Sequence, residues 1–460
     1  MRATLILGGG PGGTGPLIWA AQSGVLPDWL AAGVTVIDAG GALGGTLGRY
    51  IINSDSLGGV YLECLCTPTA RTLFGPLLDA PVYHELEAQR SGFPPLELVD
   101  RYQHCLGSLL ADALARHPGG EFIPEVRVRA LRYRLDGALS AELVTAGGRS
   151  VEMAARTVIL ALGGRRRAND QSVEVAHGVH LSEIARDKLV PSDQLVTAAG
   201  RRYAATVIAR APSPRVVILG GSHSAYSAAW VLTETMPEIS FGPGDITILA
   251  HRQPPIFYES LAAAAADGYP ASAADVCPRT QRVHRLGGVR GDGREMWRRI
   301  TRRPGCVPEP RVVLRPLSDP ALSATALRRL LDEAALIVPA FGYRARTVPV
   351  FDARGARLRL NAERDGAAVD SDARLLRDDG TPLPNLFGIG LGSGYRPTAA
   401  MGGEPSFTGQ ANSLWLYQHH IGAVIHHGVQ QGLAEASRAR SAGRFGRPSS
   451  RRVAAASDRS

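Results

Sequence analysis

The apolar residues of the chain fall into short blocks separated by small-residue turns. Thr4–Leu7 is a strand-length apolar block; Gly8–Gly15 reads as a loop and Pro16 to about Gly24 as a helix, with a further turn through Asp28 and Leu30. Val34–Ile37 is a β-branched strand that ends at Asp38. From 96 to 117 the apolar positions Leu96, Leu98, Val99, Tyr102, Leu106, Leu109, Leu110 and Leu114 follow helical spacing. VRVRALRYRLDG and SAELVTAGGRSVEM alternate as strands of a meander, and ARTVILALGG is an apolar strand closing on Gly163-Gly164.

A second unit of the same kind follows the proline-marked linker APSPR. It comprises the strand and turn VVILGGSHSA, a helix through Leu232, the strand ITILAHR and the strand AALIVPAFGY. The stretch from Gln253 to Arg315 shows no clear periodicity. A small strand pair, then LPNLFGIGLGSGYRP and the helical SLWLYQHHIGAVIHHGV, supply the strand and helix that the interrupted first unit needs. The order predicts an α/β protein with two Rossmann-like dinucleotide-binding domains, the second inserted in the first. Expected bounds are 1–205 for the first part of the outer domain, 206–345 for the insert, 346–432 for the completion and 433–460 for a disordered basic tail.

Gly8, Gly10 and Gly13 fit GxGxxG between a strand and a helix. Such a turn brings backbone N–H groups and the helix N-terminus to a pyrophosphate. Pro11 and Gly12 lie inside it, and Asp38, 25 residues after Gly13, is placed for a ribose hydroxyl pair. In the second unit Gly220, Ser222 and Ala225 take the three glycine positions, with His223 and Ser224 as phosphate donors at the helix start. Its second strand runs into His251-Arg252 rather than an acid. A basic pair accommodates a 2′-phosphate, which points to NADPH.

Composition and charge add exclusions. The net charge of +9 is partly local: the tail from Leu433 carries seven arginines against Glu435 and Asp458. Lys188 is the only lysine, no nucleic-acid motif accompanies the charge, and no nucleic-acid partner is expected. No apolar run has transmembrane length and the N-terminus lacks signal-peptide features, so a cytoplasmic protein without membrane association is expected. Five cysteines do not form a disulfide framework; Cys64-Leu-Cys66 is the one close pair. No Cys/His set has zinc spacing, and the pairs His419-His420 and His426-His427 read as a helix face. Arg282, Arg285, Arg290, Arg294, Arg298 and Arg299 read as a solvated basic face, with contact to an acidic substrate or the NADPH phosphates as the alternative, and Trp230, Trp297, Trp415 and Tyr417 read as core packing.

The chain resembles the two-dinucleotide-binding-domain flavoproteins, and among them the amine N-hydroxylating branch of the class B flavin monooxygenases (ornithine and lysine hydroxylases). GGSHSA is similar to that branch's NADPH loop, SFTGQANSLWLYQ to its late Thr-His-Gly-Leu-Ser-Asp-type segment, and VHLSEI to its Val-His-Ser segment. The resemblance implies FAD in the first domain, held at Gly8–Gly13, Asp38, Gly163, Gly390, Thr408 and Gly409, and NADPH in the second. Leu391 stands where many such proteins have Asp, and the Baeyer–Villiger fingerprint is absent. The resemblance further implies a small-molecule substrate and molecular oxygen, with an amine or related heteroatom hydroxylated through a C4a-(hydro)peroxyflavin. It carries over no catalytic residue. A flavin oxidoreductase passing electrons to a thiol, quinone or protein is the alternative, resting on Cys64 and Cys66.

Overall fold

A computed structural model describes residues 1–167, 172–364, 366–398 and 401–445. A ten-stranded sheet forms the outer unit. Its parallel part runs, from the edge inward, Gly120–Ile123, Val34–Ile37, Arg2–Leu7, Ser150–Leu160 and Pro382–Gly388. Ser150–Leu160 is long enough to serve two roles. Its first half pairs antiparallel with Leu139–Thr145, and its second half pairs parallel with both Arg2–Leu7 and Pro382–Gly388. The predicted meander is thus an extension of the nucleotide-binding sheet. Leu5, Ile6, Val36, Val158, Ile159 and Leu386 are buried here, as expected of parallel strands covered on both faces.

The inserted unit is a four-stranded parallel sheet in the order Val312–Pro316, Ile246–Ala250, Val216–Leu219 and Leu336–Pro339. The chain crosses between the units twice. The short strands at the crossings, Gly164–Arg166 and Tyr343–Ala345, pair antiparallel and lie next to each other.

Three boundaries differ from those expected. The first helix spans Pro11–Gln22, not Pro16 onward. Proline at its first position is the ordinary helix-start use. Pro16 sits within the helix, where the residue four back, which its ring crowds, is Gly12, without a side chain. Second, the insert begins at the Gly164–Arg166 crossing rather than near 205: Val190, Leu195, Val196, Ala204 and Ile208 belong to the core of the inserted sheet. Third, the last helix runs His420–Phe445, past the expected tail boundary at 432. The remainder of the predicted tail, 446–460, lies outside the described residues.

The stretch from Gln253 to Arg315 folds without long periodic elements because aromatic residues build its core. Tyr258, Tyr269 and Trp297 pack ring to ring at 5.3 and 5.7 Å, and Tyr258 donates to the buried Asp267 at 2.7 Å. Glu404 of the outer unit is buried against this segment and accepts from the backbone N–H groups of Leu286 and Gly287 at 3.0–3.1 Å. The insert is thereby braced on the outer unit beside the cleft. No helix among the described residues is long and apolar enough to cross a membrane.

Candidate active site

The two small-residue turns have the same construction. Gly8 N–H donates to the carbonyl of Ile37, at the end of the second strand, and Ala161 N–H donates to the carbonyl of Leu7. In the insert Gly220 N–H donates to Leu249 and Ala340 N–H to Leu219. Gly8 and Gly220 both have left-handed φ, +115° and +134°. A Cβ at Gly8 would lie 2.3 Å from the Ala161 carbonyl oxygen, and one at Gly220 would lie 2.5 Å from the Ala340 oxygen. No other residue type fits either position.

Gly10 and Ser222 are the matching helix N-caps, both with extended backbone. Ser222 is exposed and its hydroxyl caps nothing, so serine in place of the second glycine leaves the turn unchanged. Gly13 packs so that a Cβ would meet the Gly8 carbonyl oxygen at 1.8 Å, whereas its counterpart Ala225 is buried without strain. The stretch VVILGGSHSA therefore repeats the construction of the Gly8–Gly13 turn.

The ends of the second strands differ. Asp38 accepts from Gly9 N–H at 2.5 Å and from Gly40 N–H at 2.6 Å, so its carboxylate is fixed at the mouth of the first turn. By strand register the matching residue of the insert is Ala250, and His251 and Arg252 come one and two residues later. Both are exposed, and neither lines the central cleft. Arg252 still adjoins the turn, its carbonyl oxygen 3.3 Å from where a Cβ at Gly221 would sit.

A cleft of about 1130 Å³ runs between the units. Gly8, Gly10, Pro11, Gly12, Asp38, Gly163 and Gly390 line one side, with Leu391, Asn412, Ser413, Leu414 and Tyr417. His223, Ser224, Ser227 and Trp230 of the inserted unit line the other. Trp230 and Tyr417 are thus cleft residues as well as packing residues, while Trp297 is fully buried in the insert core. Thr408 and Gly409 are exposed and outside the cleft; the late segment reaches it at Asn412, where the helix Leu414–Gln418 begins.

The sequence reading missed a polar cluster that three distant segments bring into this cleft: Asn53 and Asp55, His223, and Arg290 with Asp292. His223 Nε2 is buried without a hydrogen-bond partner and lies 4.0 Å from Asp55 Oδ2. Burial holds the imidazole below the ordinary histidine pKa; Asp55 opposes this shift and Arg290 adds to it. Asp292 is hydrogen-bonded by the side chain and backbone of Asn53, and burial raises its pKa.

Three of the other arginines of the supposed basic face are held in ion pairs, while Arg282 is exposed. Arg298 pairs with Asp267, Arg299 with Glu234 and Glu309, and Arg294 with Glu259. Only Arg290 of the six lines the cleft.

The cysteine alternative finds no support in the geometry. Cys64 is fully buried beside the Tyr102 hydroxyl at 3.3 Å, and burial pushes its pKa up to about 12. Cys66 is exposed, and neither cysteine lines the cleft. A reactive thiol needs a stabilised thiolate, the opposite of this setting. The histidine pairs take packing and hydrogen-bonding roles: His426 lies against Trp19 and Trp29 at 5.1 and 5.0 Å, and His419 stacks on Trp415 at 4.7 Å.

Two strand–turn–helix units of one construction thus border a single cleft. The backbone superposes over 94% of the chain on three solved monooxygenases. These are DfoA, the FAD-bound cadaverine monooxygenase of Erwinia amylovora (TM-score 0.55, 12% identity, 95% of that chain), L-lysine 6-monooxygenase of Pseudomonas syringae (0.54, 13%, 100%) and the ornithine hydroxylase PvdA of Pseudomonas aeruginosa (0.52, 15%, 99%). No family model matches the chain. In sequence it is 34% identical over 440 residues to the CMP-5′-(3-aminopropyl)phosphonate hydroxylase of Streptomyces rubellomurinus, covering 92% of this chain and 96% of the relative. The chain belongs to the family of that hydroxylase and shares its fold with the solved amine monooxygenases.

Proposed function

We propose that this enzyme uses FAD and NADPH to hydroxylate the primary amine of a small nucleotide-linked aminoalkylphosphonate. The observation that carries the substrate class is the 34% identity to the CMP-5′-(3-aminopropyl)phosphonate hydroxylase, sustained over nearly the full length of both chains. The cleft supports the reading. It is spacious, and its lining mixes arginine, carboxylate and hydroxyl groups.

The residues fit both cofactors. In the outer unit the Gly8–Gly12 turn and the N-terminus of Pro11–Gln22 would hold the FAD pyrophosphate, with Asp38 at the ribose. Gly163 and Gly390 leave the cleft wall without side chains where the two strand ends meet it. In the insert the Gly220–Ala225 turn would hold the NADPH pyrophosphate, with His223 and Ser224 at the helix start and Arg252 beside the turn for the 2′-phosphate. Bound flavin and nicotinamide supply the redox and oxygen chemistry. The chain's own part is to orient the amine and keep water from it. Tyr417, Leu414 and Trp230 contribute apolar surface to the cleft, which lowers the local dielectric around the reacting groups.

The test is product analysis with FAD-loaded enzyme, NADPH and oxygen. CMP-5′-(3-aminopropyl)phosphonate, cadaverine, lysine and ornithine are supplied in parallel, and hydroxylamine product is read by mass spectrometry. The expected result is a coupled hydroxylamine with the nucleotide substrate and mainly hydrogen peroxide with the free amines. NADPH oxidation that yields only peroxide with all four overturns the reading.

A further inference from the structure

Arg290 and Asp292 stand two residues apart at the start of the helix Gly291–Ile300, and both line the cleft. Neither makes an ion pair at salt-bridge distance; Asp55 and Glu404 act on Arg290 from further away, and Arg282 and Arg285 oppose them. Arg290 Nη2 donates to the Arg285 carbonyl at 2.5 Å, its Nε donates to the Gly288 carbonyl at 3.3 Å, and its guanidinium lies 4.5 Å above the Phe257 ring. All three partners are neutral. Asp292 receives hydrogen bonds from Asn53, also neutral, and its Oδ2 is buried with no partner.

Arg285 and Arg303 likewise have only neutral partners, but other arginines of the segment do not. Arg294, Arg298, Arg299 and Arg311 are each paired with a carboxylate. Buried charge without a counter-charge is costly, and proteins ordinarily pair it. One cation and one anion without an ion pair, both on the cleft wall, are complementary to a ligand that carries both charges.

We infer that Arg290 and Asp292 form a two-charge receptor for an ω-aminoalkyl anion, Arg290 binding the phosphonate or phosphate and Asp292 seating the ammonium end. The inference rests on the substrate class proposed above and adds the residues that select it. It also separates this cleft from a site for simple diamines, which offer Arg290 nothing to bind. Asp55 and His223, on the facing elements, border the same volume and complete its polar lining.

The experiment is calorimetric titration of the FAD-loaded enzyme with three probes: 3-aminopropylphosphonate, propylphosphonate and propylamine. The wild type is expected to bind the first at least about 10-fold more tightly than either half, the difference that one well-formed charged contact gives. Arg290→Gln should weaken 3-aminopropylphosphonate to the level of propylamine and leave propylamine unchanged. Asp292→Asn should do the converse, weakening both amines and sparing propylphosphonate, and Asp292→Glu should restore part of the loss. FAD content and melting temperature are read alongside to confirm folding. Should a variant not fold, the wild-type order of the three probes decides by itself. Equal losses for all three probes, no wild-type preference for the doubly charged probe, or an Arg290→Gln effect confined to the KM for NADPH each overturns the receptor. The binding readout is independent of turnover. Selective binding without hydroxylamine formation keeps the receptor and removes the hydroxylase reading, and hydroxylamine formation without selective binding does the reverse.

Discussion

Replacing Gly10 with alanine separates the demands of the fold from those of the cofactor. Gly10 is the N-cap of Pro11–Gln22 at φ −73° and ψ −174°, a conformation open to any residue. A Cβ there has the Gly45 Cα, at 3.7 Å, as its nearest neighbour. The empty protein should therefore keep its stability or gain about 0.4–1 kcal/mol through a less flexible unfolded chain. The bound state differs, because the added methyl occupies the space through which a phosphate reaches the backbone N–H groups. Loss of one hydrogen bond to a charged group costs about 1.5–3 kcal/mol, or roughly 10- to 150-fold in affinity. FAD titration of the apoprotein by flavin fluorescence, with thermal unfolding of the same sample, reads both quantities. Gly8→Ala is the contrast: its Cβ would lie 2.3 Å from the Ala161 oxygen at φ +115°, so it should lose stability and FAD together. The reasoning fails if Gly10→Ala binds FAD within about 3-fold of wild type, or if its apoprotein is destabilised by more than about 2 kcal/mol.

Arg252→Ala is expected to raise the KM for NADPH by about 10-fold or more, the worth of a charge-assisted contact, with little change for NADH; equal changes for both would exclude the 2′-phosphate role. Cys64→Ala combined with Cys66→Ser should leave kcat for hydroxylation intact, since Cys64 is a buried neutral thiol and Cys66 lies outside the cleft; abolished turnover in a protein that still binds FAD would restore the thiol alternative. Burial lowers the pKa of His223, His284, His420 and His426. The folded state then binds fewer protons than the unfolded one near and below about pH 6.5, so this stability is complete above that pH and is lost as the pH falls. Melting temperature should drop between pH 8 and pH 5.5, and a rise on acidification would contradict the assignment.

Much of the architecture was legible because short-range constraints carry it. The glycines at 8 and 220 are demanded by a turn that only glycine can make, and the apolar strands on either side identify it. Ser222 and Ala225 were legible for the same reason: their positions need a small residue rather than a left-handed one. The helix start at Pro11 was misplaced because Pro16 is the stronger helix-start signal, and its tolerance inside the helix depends on Gly12. The insert boundary was misplaced because the linker APSPR marks a turn within a unit whose core already includes residues 190–208.

The substrate wall of the cleft was legible only as a group of six arginines, without the one that lines it. Arg290 is one of six arginines at unremarkable spacing, and no local pattern distinguishes it from Arg294, Arg298 or Arg299. Only the tertiary structure supplies carboxylates to those three and none to Arg290. Asn53, Asp55 and Asp292 likewise acquire meaning only when the two units close on one cleft, and His223, expected at the helix start, gains its carboxylate neighbour only there. The two small-residue turns follow from the chain's local pattern, because backbone sterics and strand burial act over a few residues. Which charges stay unpaired follows only from the folded chain, because the partners of Arg294, Arg298 and Arg299 come from other elements.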